Sequence, residues 1–313
     1  MSDAKGMLVA MPERWDEACF AVPAIRALAG SGLITGLVCR EEQDAFWKTV
    51  CKLPRHLFSG KTSAGDLSKR IGDGWQAALV WEQGVAAKAF AKAKIERRIG
   101  PDLKALAKFL TDALDVKEAP TEHRVRIYLN TAASLGVQVD RPEFFIAAPL
   151  GVQAEPKTVL LCPGSDYGPS YEWPLDRWQE LAEALLEQGK RITVAGVVGG
   201  RGLGKILAGR LGSDAEFFHA SPLAASLPLL AAHQLIISAD GSLPHLAAHA
   251  GSTCVTLFGP NDAVWKRPLG KRHVVVKKHV ECAPCLSPKC LMDGRCQNDL
   301  EVETVLAAIP GSF

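Results

Sequence analysis

The sequence predicts two doubly wound α/β domains joined by a short linker. Three observations point there. The chain has 313 residues, about two domains' worth. Short apolar runs at 7–11, 158–162 and 235–239 alternate with amphipathic segments in both halves, the rhythm of parallel β-α-β units. Residues 141–157 (RPEFFIAAPLGVQAEPK) carry three prolines and no period. They place a linker at 146–156, between domains at 1–145 and 157–313.

In order, residues 7–11 (MLVAM) read as the first strand. The loop PERWDE leads to a helix over 18–29, with Phe20, Ile25 and Leu28 apolar and Gly30 and Gly32 ending it. Residues 34–39 and 77–81 are further strands. Residues 84–98 read as a helix, basic on one side through Lys88, Lys92, Lys94, Arg97 and Arg98. That side is a solvated face, or a surface for acidic headgroups. Residues 102–114 and 121–135 read as two more helices. In the second half, a strand at 158–162 meets the long loop PGSDYGPSYEWP. A helix over 175–188 follows, with Asp176 as its cap, Trp178, Leu181 and Leu185 on one face, and Gly189 as its stop. Strands at 191–198, 235–239 and 254–258 then alternate with helices at 204–211, 223–232 and 244–250.

Composition narrows the function. A net charge of +2 and 22% charged residues do not suit a dedicated nucleic-acid binder, which would show a basic stripe. No apolar run approaches the ~18–20 residues of a membrane span, and the start MSDAKGMLVAMPERW lacks a signal peptide's apolar core. A cytoplasmic protein is expected. Of nine cysteines, Cys162 and Cys254 sit in strand-like runs. Cys282, Cys285, Cys290 and Cys296 crowd into fifteen residues. They read as free thiols, or as the four ligands of a structural zinc. Disulfides are disfavoured in a reducing cytosol.

The densest signal is SADGSLPHLAAHAGSTCVTLFGP, residues 238–260. An acid and two small residues separate an apolar strand from a helix with Pro244 in its first turn. A helix N-terminus carries unpaired N–H groups and partial positive charge, so it suits an anion. Gly241 and Ser242 allow close approach, His245 can donate to a phosphate, and Asp240 suits sugar hydroxyls. The plain alternative is that Asp240 and Ser242 cap the helix and His245 packs on the sheet. Residues 199–205 (GGRGLGK) have P-loop spacing, but Ile206 stands where the metal-binding Ser or Thr belongs. They read as a glycine-rich turn.

This stretch resembles the donor-binding segment of glycosyltransferase family nine, the ADP-heptose:lipopolysaccharide heptosyltransferases. The shared pattern runs through Asp240, His245, Ala247, Ala248, Phe258, Gly259 and Pro260, with the family's Ser/Thr-Gly reversed as Gly241-Ser242. CPGSDYGPSYEWPLDRWQELAEAL looks like the family's donor-phosphate loop and following helix, Gln83-Gly84 like its Leu-Gln-Gly segment, and HRVRIYLNTAASLGV like the helix before its linker. CAPCLSPKC with a later Cys resembles its C-terminal cysteine cluster.

The resemblance implies a GT-B architecture, two Rossmann-like domains with parallel sheets facing a central cleft, and a last helix at 302–309 returning to the N-terminal domain. It implies an inverting transferase moving a heptose or related sugar from an ADP-sugar to a lipid-linked lipopolysaccharide-core glycan. The site would be cytoplasmic, in peripheral contact with the inner membrane face, with no cofactor required. The implied donor-binding set is Gly164, Ser165, Asp166, Asp240, Gly241, Ser242, Leu243 and His245. Counting back from Pro23, Glu17 stands at the family's catalytic Asp and Asp16 at its neighbouring Gly. Tyr171 replaces a loop Lys; Arg201, Lys205, Lys266 and Arg267 are candidate substitutes for that cation. Two other functions fit these departures: a family member that binds a nucleotide sugar without transfer, and a nucleotide-sugar epimerase or hydrolase of the same architecture.

Overall fold

A computed structural model describes residues 5–117, 119 and 121–311. The chain forms two compact units, Met1–Ile146 and Ala147–Phe313. In the first, β1 (Lys5–Ala10), α1 (Trp15–Gly30), β2 (Ile34–Arg40), α2 (Asp44–Val50), β3 (Arg55–Phe58), α3 (Ala64–Ile71), β4 (Trp75–Leu79) and α4 (Val85–Lys92) follow in turn. β5 (Arg97–Pro101), β6 (Asp112–Leu114) and α5 (Val125–Ser134) complete it. The second runs β7 (Glu155–Cys162), α6 (Leu175–Glu187), β8 (Arg191–Val197), α7 (Leu203–Leu211), β9 (Ala215–Ala220) and α8 (Leu227–Ala232). It continues with β10 (His233–Ala239), α9 (Ser242–Ala250), β11 (Thr253–Phe258), α10 (Ala263–Lys266), β12 (Val274–Lys277), α11 (Arg295–Asn298) and α12 (Val302–Ala307).

Each unit has one six-stranded sheet in which every pairing is parallel. The orders are β3-β2-β1-β4-β5-β6 and β12-β11-β10-β7-β8-β9. Numbered from its own first strand, the second unit repeats the order of the first, and both are Rossmann-like. The central strands are apolar runs because helices cover both faces: the last five residues of β7 and of β11 are buried. In the second core Trp173 and Trp178 meet edge to face, centroids 5.4 Å apart, and the Trp173 indole N–H donates to Leu300 O at 2.9 Å.

Several elements differ from the sequence expectation. The helix expected over 84–98 ends at Lys92. Lys94 turns the chain with φ +53, and 97–101 becomes β5, pairing with β4 and burying Ile99. Arg98 folds back to donate to Ile95 O and Phe109 O. The helix expected at 102–114 is a run of turns ending in β6. The helix α12 buries Val302 and Val305 in the second unit's own core, beside Leu300. Among the described residues no helix is long and apolar enough to cross a membrane.

The strand order reverses direction between β1 and β4, and again between β7 and β10. In open parallel sheets, ligands bind outside the carboxyl ends of the strands at such points.

Candidate functional site

At the β7/β10 reversal the structure assembles the residues predicted for a donor. β7 ends at Cys162 and hands the chain to Gly164, Ser165 and Asp166. β10 ends at Ala239 and hands it to Asp240 and Gly241, with α9 starting at Ser242. The Ser165 hydroxyl donates to Asp240 O at 2.6 Å. The Ser242 backbone N–H and hydroxyl donate to the two oxygens of Asp166, at 2.8 and 2.5 Å. The N-terminus of α9 therefore holds an anion, the chain's own carboxylate. A Cβ added at Gly241 would fall 2.8 Å from Asp166 Oδ1, so a larger residue would push the carboxylate off. Asp240 is fully buried, and Asn261 Nδ2 donates to its Oδ2 at 2.8 Å. Leu243 and His245 lie buried in the first turn of α9.

Three further pieces hold the donor loop. The backbones of Gly164 and Gly200 touch, so that a Cβ on Gly164 would sit 2.8 Å from Gly200. The P-loop-like turn is thus packing against the donor loop. Glu172 accepts from Ser165 N at 3.2 Å with one oxygen and from Arg201 Nε with the other. Arg201, one of the cations offered in place of the missing Lys, is joined to the loop in this way. The Cys-rich segment clamps the loop's far side: Ser170 N donates to Pro288 O at 3.3 Å and Gln297 Nε2 to Tyr171 O at 3.2 Å. Gly168, at φ +127, has Pro288 O 2.5 Å from where a Cβ would sit, so only glycine fits.

The structural zinc offered for this segment is not supported. Cys282 and Cys285 are exposed, Cys290 is half-buried and Cys296 is buried in α11. Among the described residues no group of three or more His, Cys, Asp or Glu side chains is placed to hold a metal ion. Burial, and then Cys282, Cys290 and Cys285, push the Cys296 thiol above its ordinary value.

The first unit's reversal, at the ends of β1 and β4, carries carboxylates. Glu17 is 6% exposed. Arg124 reaches both its oxygens, Nε at 3.0 Å from Oε1 and Nη2 at 3.1 Å from Oε2, and the Tyr128 hydroxyl donates to Oε2 at 2.7 Å. Burial, then the Glu17 charge, hold the Tyr128 hydroxyl well above its ordinary range. Asp16 is fully buried against Arg14, 2.9 Å away. Glu82, just past β4, accepts from Glu13 N at 2.7 Å. Its carboxyl is pushed up to about 7, first by burial, while the Glu13 N–H pulls it down and the charges of Glu13 and Glu17 add to the rise. Sequence reasoning singled out none of Arg124, Tyr128 or Glu82. The one signal was Glu82's place immediately before Gln83-Gly84.

The sequence profile of glycosyltransferase family 9 (heptosyltransferase) matches residues 67–295. The chain belongs to that family. The match takes in Glu82, Arg124, the donor loop and α9, while Glu17 lies ahead of it. Lipopolysaccharide heptosyltransferase 2 of Salmonella typhimurium is 26% identical over 131 residues, 40% of this chain and 38% of that protein. The aligned stretch thus spans well under half of that curated relative. The fold likeness runs the whole length. The structure of E. coli ADP-heptose lps heptosyltransferase II covers 97% of both chains with TM-score 0.77 at 17% identity. E. coli heptosyltransferase WaaC with ADP-2-deoxy-2-fluoro heptose covers 96% of this chain and 98% of its own, with TM-score 0.72 at 18% identity. The family member described here therefore has the GT-B fold.

Proposed function

We propose that this family 9 member transfers a heptose, or a closely related sugar, from an ADP-sugar to a hydroxyl of a lipopolysaccharide-core or similar lipid-linked glycan, with inversion at the anomeric carbon. The observation that carries the reading is the anion seat on α9, where Ser242 N and Oγ already grip the Asp166 carboxylate. The donor diphosphate takes that seat and displaces Asp166. Arg201 sits one carboxylate away from Ser165 and offsets the charge developing on the leaving diphosphate. Asp240, oriented by Asn261, and His245 contact the donor beside it. The acceptor hydroxyl gives its proton to the carboxylate cluster of the first unit, in which Glu17 occupies the family's catalytic position and Asp16 adjoins it. A relative's ligand supports the donor class: E. coli heptosyltransferase WaaC was solved with ADP-2-deoxy-2-fluoro heptose. With a lipid-linked acceptor the reaction would run at the cytoplasmic face of the inner membrane, with the chain bound there peripherally.

Calorimetric titration with ADP, UDP and GDP tests this reading. ADP is expected to bind, and Asp240→Ala or His245→Ala to weaken it. Preference for UDP or GDP would keep the fold and discard the ADP-sugar donor. Glu17's engagement by Arg124 and Tyr128 favours a second reading, a family member that binds the donor without transferring it. Donor binding with no acceptor-dependent ADP release identifies that case.

A further inference from the structure

Four carboxylates gather outside the ends of β1 and β4, and three of them have an arginine each. Glu13 pairs with Arg40 at 3.1 Å, Asp16 with Arg14 at 2.9 Å and Glu17 with Arg124 at 3.0 Å. Glu82 has none. Its Oε1 accepts the Glu13 backbone N–H at 2.7 Å, and its Oε2 accepts no hydrogen bond among the described residues. A general base needs a free lone pair at a fixed place. Glu17 meets the first less well: both its oxygens already accept hydrogen bonds, Oε1 from Arg124 and Oε2 from Arg124 and Tyr128. Glu82 has both. The Glu13 N–H fixes one oxygen and leaves the other open. The chain on either side is held as well. Trp81 packs its ring 5.0 Å from that of Tyr128, and a Cβ on Gly84 would meet Glu13 Oε1 at 2.8 Å.

We propose that Glu82, rather than Glu17, takes the proton of the acceptor hydroxyl, and that Glu17 is a positioning residue that fixes Arg124 and Tyr128. This rests on the transferase reading above. The acceptor oxygen forms its bond to the anomeric carbon. The bond from that carbon to the diphosphate oxygen breaks, its electron pair leaving on the nucleoside diphosphate. The hydroxyl proton passes to Glu82 Oε2. The groups facing Glu82 suit the task. Burial and the charges of Glu13 and Glu17 raise its carboxyl to about 7, against the pull of the Glu13 N–H and Arg14. A base poised near the working pH is the effective one.

The test is ADP release from ADP-heptose with a truncated lipopolysaccharide core as acceptor, followed across about pH 5.5–9. In the unaltered protein kcat/KM should rise with pH through about 7. Glu82→Gln should lower kcat by about 10²–10⁴-fold and abolish that limb, with ADP affinity unchanged. Glu82→Asp, which keeps a carboxylate, should restore part of kcat and the limb. Glu17→Gln should keep the limb whatever it does to kcat. A limb that persists in Glu82→Gln, or vanishes in Glu17→Gln alone, overturns the assignment. An infrared pH titration gives a readout apart from turnover: a carboxyl band titrating near neutrality should disappear in Glu82→Gln, and its persistence would also overturn the assignment. If the unaltered protein binds ADP-heptose yet no acceptor releases ADP, the transferase reading itself falls, and the infrared band still reports separately on Glu82.

Discussion

Replacing Arg124 with Met should be one of the most damaging single changes in the first unit. It strips the cation from a carboxylate that is 6% exposed and leaves Tyr128 as the partner on its Oε2. Removing one member of a buried ion pair costs ~3–5 kcal/mol, because the other charge stays desolvated. The Arg124 side chain keeps 15% exposure, so water reaches the pair and the lower end, ~3 kcal/mol, applies. For a unit of this size that lowers the unfolding temperature by roughly 10 °C. Scanning calorimetry of the first unit's transition measures it. Glu17→Gln combined with Arg124→Met removes the stranded charge, and should recover ~1.5 kcal/mol or more relative to the sum of the single changes. A cost below ~1 kcal/mol for Arg124→Met, or strict additivity of the pair, would refute the view that these groups are a desolvated ion pair.

Three other outcomes follow from the same geometry. In the folded protein the Glu82 carboxyl is pushed up to about 7, from the ordinary 4.5 of a glutamate. Between those values the native state keeps a proton that the unfolded chain has released. Glu82's contribution to stability therefore falls as pH rises through that window and stays low above it. Glu82→Gln should then stabilise the protein by ~2–3 kcal/mol near pH 8 and far less near pH 5 in urea unfolding; equal effects at both would contradict the sign. Gly164→Ala forces a Cβ to within 2.8 Å of the Gly200 backbone. It should separate the donor loop from the β8–α7 turn and weaken ADP about tenfold, ~1.4 kcal/mol by calorimetry, with circular dichroism unchanged. Trp173→Ala empties a site 1% exposed and strands the Leu300 carbonyl. It should cost ~3–5 kcal/mol in urea unfolding, and a loss under ~1 would show that the second core is not stitched there.

What the sequence disclosed follows from what is local. The turn at 163–166 and the Asp240–Ser242 corner each lie within a few residues, and both ride on strands whose apolar runs are unmistakable. The two sheets and the residues that meet at this corner were therefore legible. Their mutual arrangement was not, because the Ser165–Asp240 and Asp166–Ser242 bonds join positions some seventy-five residues apart. Nor could spacing show that Asp166 would seat itself on α9. Glu17 is a sharper case. The family resemblance implies a base at its position, but Arg124 and Tyr128, over a hundred residues on, decide what its oxygens are free to do. Residues 84–98 are rich in Ala and Lys and read as helix, yet the sheet takes 97–101 as a strand because pairing with β4 buries Ile99. The four cysteines have a ligand-like spacing, but the chain uses the segment to brace Gly168–Tyr171 instead.

The proposed reaction is sugar transfer with inversion from an ADP-heptose donor. Incubation of the full chain with ADP-heptose and a truncated lipopolysaccharide core, with the product's anomeric configuration read by NMR, tests it most directly. ADP release should depend on the acceptor, and the glycosidic product should have the configuration opposite to the donor's. Retained configuration, or free heptose formed at the same rate with and without acceptor, would contradict it.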